Sequence, residues 1–161
     1  MAKFVFKTRS FKNYVFKNYK ERGEWVEAKF IAEALRHGYK VLKPWGDSQA
    51  FDVAVNFGSR IVRVQVKSTT CRVGTGYRCD LEPNRASAPY TLKQLDFFAV
   101  CIIPQDAWYL IPARVLVSGD HLKKRLRLFP VRPLKTNRYL YEGYKEAWDG
   151  LRHRRDKGRR G

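Results

Sequence analysis

The chain of 161 residues is short of cysteine, of acidic side chains and of long apolar runs, and each shortage excludes something. Its three cysteines, Cys71, Cys79 and Cys101, include no CxxC pair, and an odd number gives no disulfide framework. The spacing of Cys71, Cys79 and His121 fits no zinc pattern, and Cys101, inside an apolar run, reads as core. No apolar stretch approaches the ~20 residues of a membrane span. The residues from Met1 to Ser10 alternate lysine with phenylalanine instead of building the apolar centre of a secretion signal, so a cytoplasmic location with no membrane partner is expected. Only 15 Asp and Glu stand against 33 Lys and Arg, a formal net charge of +18.

That excess makes a compact chain repel itself and points to a polyanionic partner. Release of condensed counterions makes nucleic acid the favoured one, with strong dependence on salt. The basic residues gather in three places: the front, with Lys12, Lys17 and Lys20; the stretch with Lys123, Lys124 and Arg125; and the end, from Arg152 onward. Charge names a partner and not an activity, since a ribosomal-type or RNA-coating protein carries the same balance.

With 44% hydrophobic and 14% aromatic residues the chain has material for one domain with its own core. Its organisation reads as a basic aromatic arm over 1–22, a folded domain over 23–151 and a basic tail over 152–161. Within the arm, Phe11-Lys12-Asn13-Tyr14 recurs as Phe16-Lys17-Asn18-Tyr19, a duplication too short for a repeat architecture. Its lysines suit phosphates and its aromatics suit bases, or those aromatics pack on the core.

From Gly23 to His37 apolar residues recur with helical period: Val26, Phe30, Ile31, Ala34 and Leu35 share a side, and Gly38 ends the run. At ~100° per residue, Glu27 falls near the centre of that stripe. A carboxylate there must be paired or must coordinate something; one solution is an ion pair with an Arg or Lys, the other a bound cation. Tyr39 to Lys43 and Phe51 to Asn56 read as strands, and Ile61 to Ser68 as a third in which Val62, Val64 and Val66 alternate with Arg63, Gln65 and Lys67. The short connection through Gly58 predicts a hairpin that sets Asp52 beside Gln65 and Lys67. Cys71 to Tyr90, with Gly74, Gly76, Pro83 and Pro89, reads as a surface loop. Phe97 to Ile103 is apolar throughout, as for a strand buried on both faces. A further strand is expected over Trp108 to Ile111, a helical turn over Ala113 to Val117, and a C-terminal helix from about Tyr139 to Leu151.

Glu27, Asp52, Gln65 and Lys67 thus carry two carboxylates, an amide and an ammonium in an order that suits a metal and a phosphodiester. A hard divalent cation takes oxygen ligands and keeps several waters, so Glu27, Asp52, the Gln65 amide oxygen and the Val66 carbonyl would suffice. Lys67 beside it would orient water or stabilise developing charge.

This pattern resembles the PD-(D/E)XK nuclease superfamily, whose core is a helix with a Glu followed by a mixed sheet carrying an Asp and a (D/E)-x-K. It is most similar to the branch with group I intron-encoded homing endonucleases: Gly23 to Glu27, Gly38-Tyr39, then Pro44, Gly46, Asp47 and Asp52, then Val64 to Lys67, with Asp96 to Val100 and Trp108 to Pro112 similar to its later strands. The resemblance implies an α/β restriction endonuclease-like core, a mixed sheet of about five strands flanked by helices. It implies a Mg²⁺-dependent (alternatively Mn²⁺-dependent) endonuclease acting on duplex DNA as a homo-oligomer, dimer or tetramer. Catalytic roles then fall on Glu27, Asp52, Gln65 and Lys67, metal ligation on Glu27, Asp52, Gln65 and Val66, and supporting or structural roles on Asp47 and Asp96. DNA contacts are expected from Lys12, Lys17, Lys20, Ser68, Thr69, Arg72, Lys123, Lys124 and Arg125. Gln65 stands where the superfamily has an acid, which the branch tolerates and which favours one metal over two. Rival readings are a repair or junction-resolving nuclease of the same fold, a catalytically silent nucleic-acid-binding module, and an RNA-directed protein.

Overall fold

The computed structural model describes residues 16–46, 48–83, 88–118, 121–131 and 140–152. Lys12, Asp47 and the tail beyond Arg152 lie outside them, as does most of the arm. The first element is a helix, α1, over Tyr19–Arg36. It begins four residues before Gly23 because Asn18 caps it, its side-chain oxygen accepting from the Glu21 N–H at 2.8 Å. It ends in a glycine-dependent turn: Gly38 takes φ +75°, its N–H donates to Leu35 O, and the Tyr39 N–H reaches back to Ala34 O.

Among the described residues ten strands follow: β1 (Lys40–Leu42), β2 (Val53–Asn56), β3 (Ile61–Thr69), β4 (Arg72–Val73), β5 (Gly76–Asp80), β6 (Phe97–Ile102), β7 (Ala107–Pro112), β8 (Val117–Ser118), β9 (His121–Leu122) and β10 (Arg125–Leu128). The main sheet has the order β1-β2-β3-β6-β7; β3 and β6 run parallel and the other neighbours antiparallel. It is the mixed five-stranded sheet that the resemblance implied. The strand β6 is buried at every residue. Phe97, Ala99 and Cys101 join Val26, Phe30 and Ala34 of α1 in one core, and Phe98, Val100 and Ile102 enter a second core on the opposite face.

The second core corrects one expectation. The stretch after Cys71 is not a loop throughout: β4 and β5 form a hairpin, and β10 joins it in a three-stranded sheet of order β10-β5-β4. Tyr77, Cys79, Leu126 and Leu128 face the main sheet from it, so that sheet lies between α1 and a small second sheet. Gly76 permits the approach, because a Cβ there would stand 2.8 Å from the Phe129 ring and 2.9 Å from Leu128 O.

The C-terminal helix is also absent from the described residues. The segment makes two short 3-10 turns, Glu142–Tyr144 and Trp148–Leu151. Glutamates tie it to β7 instead of a helical ladder. Glu142 accepts from Tyr109 OH and from the Phe129 N–H, and Glu146 accepts from the Trp108 N–H at 2.6 Å and from Trp148 Nε1 at 3.1 Å. The turn over Ala113–Leu116 matches the sequence reading.

Candidate active site

The β2–β3 hairpin sets Val53 opposite Val64, so Asp52, one residue earlier, falls opposite Gln65. The Asp52 N–H still donates to Val64 O, 3.0 Å away, but its side chain ends the ladder. One carboxylate oxygen, Oδ2, accepts from Gln65 Nε2 at 2.6 Å and from the Val66 N–H at 2.8 Å. Because the N–H and C=O of a strand residue point to the same side, the Val66 carbonyl also faces this corner. Gln65 turns Nε2 to the carboxylate, the only arrangement in which a donor meets an acceptor, which leaves its Oε1 for another partner.

Strand alternation sends Val62, Val64 and Val66 into the core beneath α1. Gln65 and Lys67 therefore face the other way, toward the small sheet. Lys67 Nζ donates to Glu82 O at 3.1 Å and to Tyr90 OH at 3.3 Å, and lies 5.2 Å from the Tyr90 ring centre. Burial draws the Lys67 ammonium below its ordinary value, against the opposing pull of Asp52 and Cys79. Burial likewise pushes the Tyr90 hydroxyl up to about 12, helped by Asp52.

Glu27 is not at the centre of the helix's buried stripe. That line is Val26, Phe30 and Ala34; Glu27 lies on its flank, with its side chain 27% exposed, and Leu35 is exposed altogether. The first three residues lean on the sheet and turn Glu27 toward its rim, where its Oε2 sits 2.5 Å from Lys43 Nζ. The ion pair weighed for Glu27 thus exists, with a lysine that the sequence did not single out. Glu27 is still near enough to act on Asp52, whose carboxyl is pushed up to about 6 by burial first and by the Glu27 charge as well. The Val66 N–H, Lys67 and Gln65 oppose that rise.

A carboxyl whose pKa is raised to about 6, in part by a second carboxylate, is an electrostatic deficit that a cation would fill. Asp52, Gln65 Oε1, the Val66 carbonyl and Glu27 make a hard-oxygen donor set of the kind magnesium takes. The set fits such an ion, though with fewer charges than usual: among the described residues no group of three or more His, Cys, Asp and Glu is gathered for a metal.

The other sequence candidates are spread out. Asp96 is structural, its carboxylate accepting from the Arg63 N–H, Nε and Nη2 where β6 begins beside β3. Thr69 is buried, and its hydroxyl donates to Arg78 O and accepts from the Cys71 N–H, which ties β3 to β5. It does not offer a surface for DNA. Ser68 is half-buried in β3 next to Lys67. Lys17, Lys20 and Arg72 are exposed. Lys123 donates to Tyr141 OH, Lys124 pairs with Glu82 and Arg125 with Asp80, so the last two remain on the surface beside the Lys67 anchor point. Cys71 is exposed while Cys79 and Cys101 are buried. No helix among the described residues is long and apolar enough to cross a membrane.

Neither Lys43, read as the last residue of a strand but lying just beyond β1, nor Tyr90, at the end of an expected loop, was a sequence candidate for the site.

The model of a family described as PD-(D/E)XK endonuclease matches residues 17–146. Among solved structures, the fold is similar to that of a bacterial homing endonuclease, with TM-score 0.68 and 25% identity over 83% of this chain and 90% of that one. A more distant likeness is to a Holliday junction resolvase of Archaeoglobus fulgidus, with TM-score 0.46 and 15% identity over 68% of this chain and 84% of that one. No curated protein sequence matches the chain. The family match spans α1, the Asp52–Gln65 corner and Lys67, so the chain belongs to the PD-(D/E)XK endonuclease family.

Proposed function

We propose that this protein is a metal-dependent endonuclease that cuts duplex DNA, of the homing-endonuclease type. The observation that carries the reading is the corner itself: Asp52, fixed by Gln65 Nε2 and the Val66 N–H, with Glu27 at its rim and the Lys67 ammonium on the same face of β3 as Gln65. Glu27, Asp52, Gln65 Oε1 and the Val66 carbonyl would hold Mg²⁺, with Mn²⁺ as its substitute. When bound, the ion neutralises phosphodiester charge and makes hydroxide accessible near neutral pH.

The protein's own groups do the rest. Asp52 and Glu27 set the negative pole of the site, and Gln65 holds the Asp52 carboxylate in one orientation. Lys67 offers its N–H donors to the phosphate oxygens as negative charge grows on them during attack by water and departure of the 3′ oxygen. The net charge of +18 supplies affinity for the DNA backbone without choosing a sequence. Likeness to the bacterial homing endonuclease supports the homing-endonuclease reading, for which the sequence resemblance implies duplex DNA as substrate and a homo-oligomer.

Lys67→Ala tests this. The variant is expected to bind duplex DNA as the wild type does and to lose Mg²⁺-dependent nicking and cutting; a variant that still cuts would remove Lys67 from the site. A second reading, a silent DNA-binding module, draws on the glutamine at position 65, which leaves the donor set one charge short. It would stand if the wild type bound DNA tightly and cut none of a random-sequence library in Mg²⁺ or Mn²⁺.

A further inference from the structure

Lysine is a compact charge on a flexible stem of four carbons, and a strand fixes only the root of that stem. At Lys67 the root is in β3, between Val66, which points under α1, and Ser68. The far end is held from outside the main sheet. Glu82 O, just beyond β5, takes one N–H at 3.1 Å, and Tyr90, in the connection that leads to β6, takes another on its hydroxyl at 3.3 Å and sets its ring 5.2 Å from the ammonium.

Tyr90 is itself braced. Its ring meets Phe98 edge-on, with centres 5.7 Å apart and planes at 71°. Phe98 is the residue of β6 paired with Gln65 in the parallel β3–β6 ladder. A continuous path therefore leads from the Gln65 register position through Phe98 and Tyr90 to the Lys67 ammonium. The hydroxyl gives the ammonium a directed acceptor in a half-buried setting, and the ring's contact with Phe98 keeps that acceptor in place.

We propose that Tyr90 is the positioning residue for Lys67, its hydroxyl accepting from the ammonium and its ring, braced on Phe98, fixing where that hydroxyl stands beside the Asp52–Gln65 corner. It acts through Lys67. The catalytic part of the inference rests on the nuclease reading; the positional part does not.

Both parts are open to experiment on the full-length protein. Without metal, acylation of lysines by an amine-reactive reagent is read by peptide mass spectrometry, with Lys29 as internal control because it is paired with Asp106 on the other side of the sheet. Tyr90→Leu, which loses both hydroxyl and ring, is expected to speed labelling of Lys67 about tenfold and leave Lys29 unchanged, and Tyr90→Phe, which loses the hydroxyl alone, to speed it about threefold. Equal Lys67 rates in the three proteins would overturn the proposal. Should Lys29 also speed up in Tyr90→Leu, the fold has loosened, and Tyr90→Met is judged by the same criterion. On cleavable DNA, Tyr90→Leu is expected to lower kcat about 100-fold with KM and DNA affinity unchanged, and Tyr90→Phe to lower it about tenfold. Wild-type kcat in Tyr90→Leu, or a loss seen in binding instead of kcat, would also overturn it. A wild type that cuts no DNA would end the nuclease reading, and the labelling result would still decide where Tyr90 holds Lys67.

Discussion

Lys43 closes on Glu27, Nζ to Oε2 2.5 Å, at the rim of a site in which Asp52 already bears the second carboxylate. The lysine is 56% exposed and its partner 27%, so the pair contributes about 0–1 kcal/mol. A cation that takes Glu27 as a ligand competes with the lysine for the charge of that carboxylate. Lys43→Met is accordingly expected to tighten Mn²⁺ binding by up to about fivefold in calorimetric titration. Glu27→Ala is the complementary variant, expected to weaken Mn²⁺ binding; unchanged affinity there would mean that Glu27 is not a ligand.

Gln65 is where the site departs from an acid. Gln65→Glu would set a carboxylate against Asp52 Oδ2, across a gap that the amide now bridges at 2.6 Å. In the absence of metal the expected cost is about 1–3 kcal/mol, with Mn²⁺ restoring the melting temperature and binding at least as tightly as to wild type. Gln65→Ala is expected to bind more weakly than both. Identical Mn²⁺ isotherms for all three proteins would exclude position 65 from the metal site.

Acid–base linkage gives Asp52 a distinctive signature. Its folded pKa, about 6, lies above the ordinary 3.8, so the native state holds the proton more tightly than the unfolded state does. The favourable contribution is complete below about pH 4 and is lost as pH rises through about 6. Metal-free Asp52→Asn, which cannot ionise, should therefore be more stable than wild type at pH 7.5, with the advantage fading toward pH 4. Urea melts at both pH values measure this, and a gap that widens on acidification would refute the assignment.

The strand alternation around Gln65 and Lys67, and the unbroken apolar run of β6, were legible because period and burial are written in residue type. The small sheet was not, because Gly74 and Gly76 resemble loop residues until the packing of Phe129 against Gly76 is known. One signal was available: Arg125-Leu126-Arg127-Leu128 alternates as a strand with one wet face, and β10 has that burial pattern. The C-terminal segment misled in the opposite direction. Tyr141, Tyr144 and Trp148 have helical spacing, but Glu146 adopts φ +50° and its carboxylate is drawn to Trp108 and Trp148. Within the site, Gln65 and Lys67 followed from strand alternation, and Asp52 more from the family resemblance than from the hairpin. Lys43, just beyond β1, and Tyr90 reach it from connections, where strand alternation no longer says which way a side chain points.

Asp96 offers a control for separating fold from site. It receives three N–H groups of Arg63 and fixes the start of the parallel β3–β6 pair. Asp96→Ala is expected to cost about 1–3 kcal/mol in a urea melt. Mn²⁺ affinity should stay at the wild-type value in the folded protein, and a change there would bring Asp96 into the metal site.

Lys67 grows from the main sheet but is gripped from beyond it, by Glu82 at the end of the β5 segment and by Tyr90. Its placement consequently reports on whether the small sheet is docked. Partial opening along that seam costs less than melting the whole molecule. Inactivation on gentle warming should then precede denaturation, a silent but still folded form arising before any loss of strand signal.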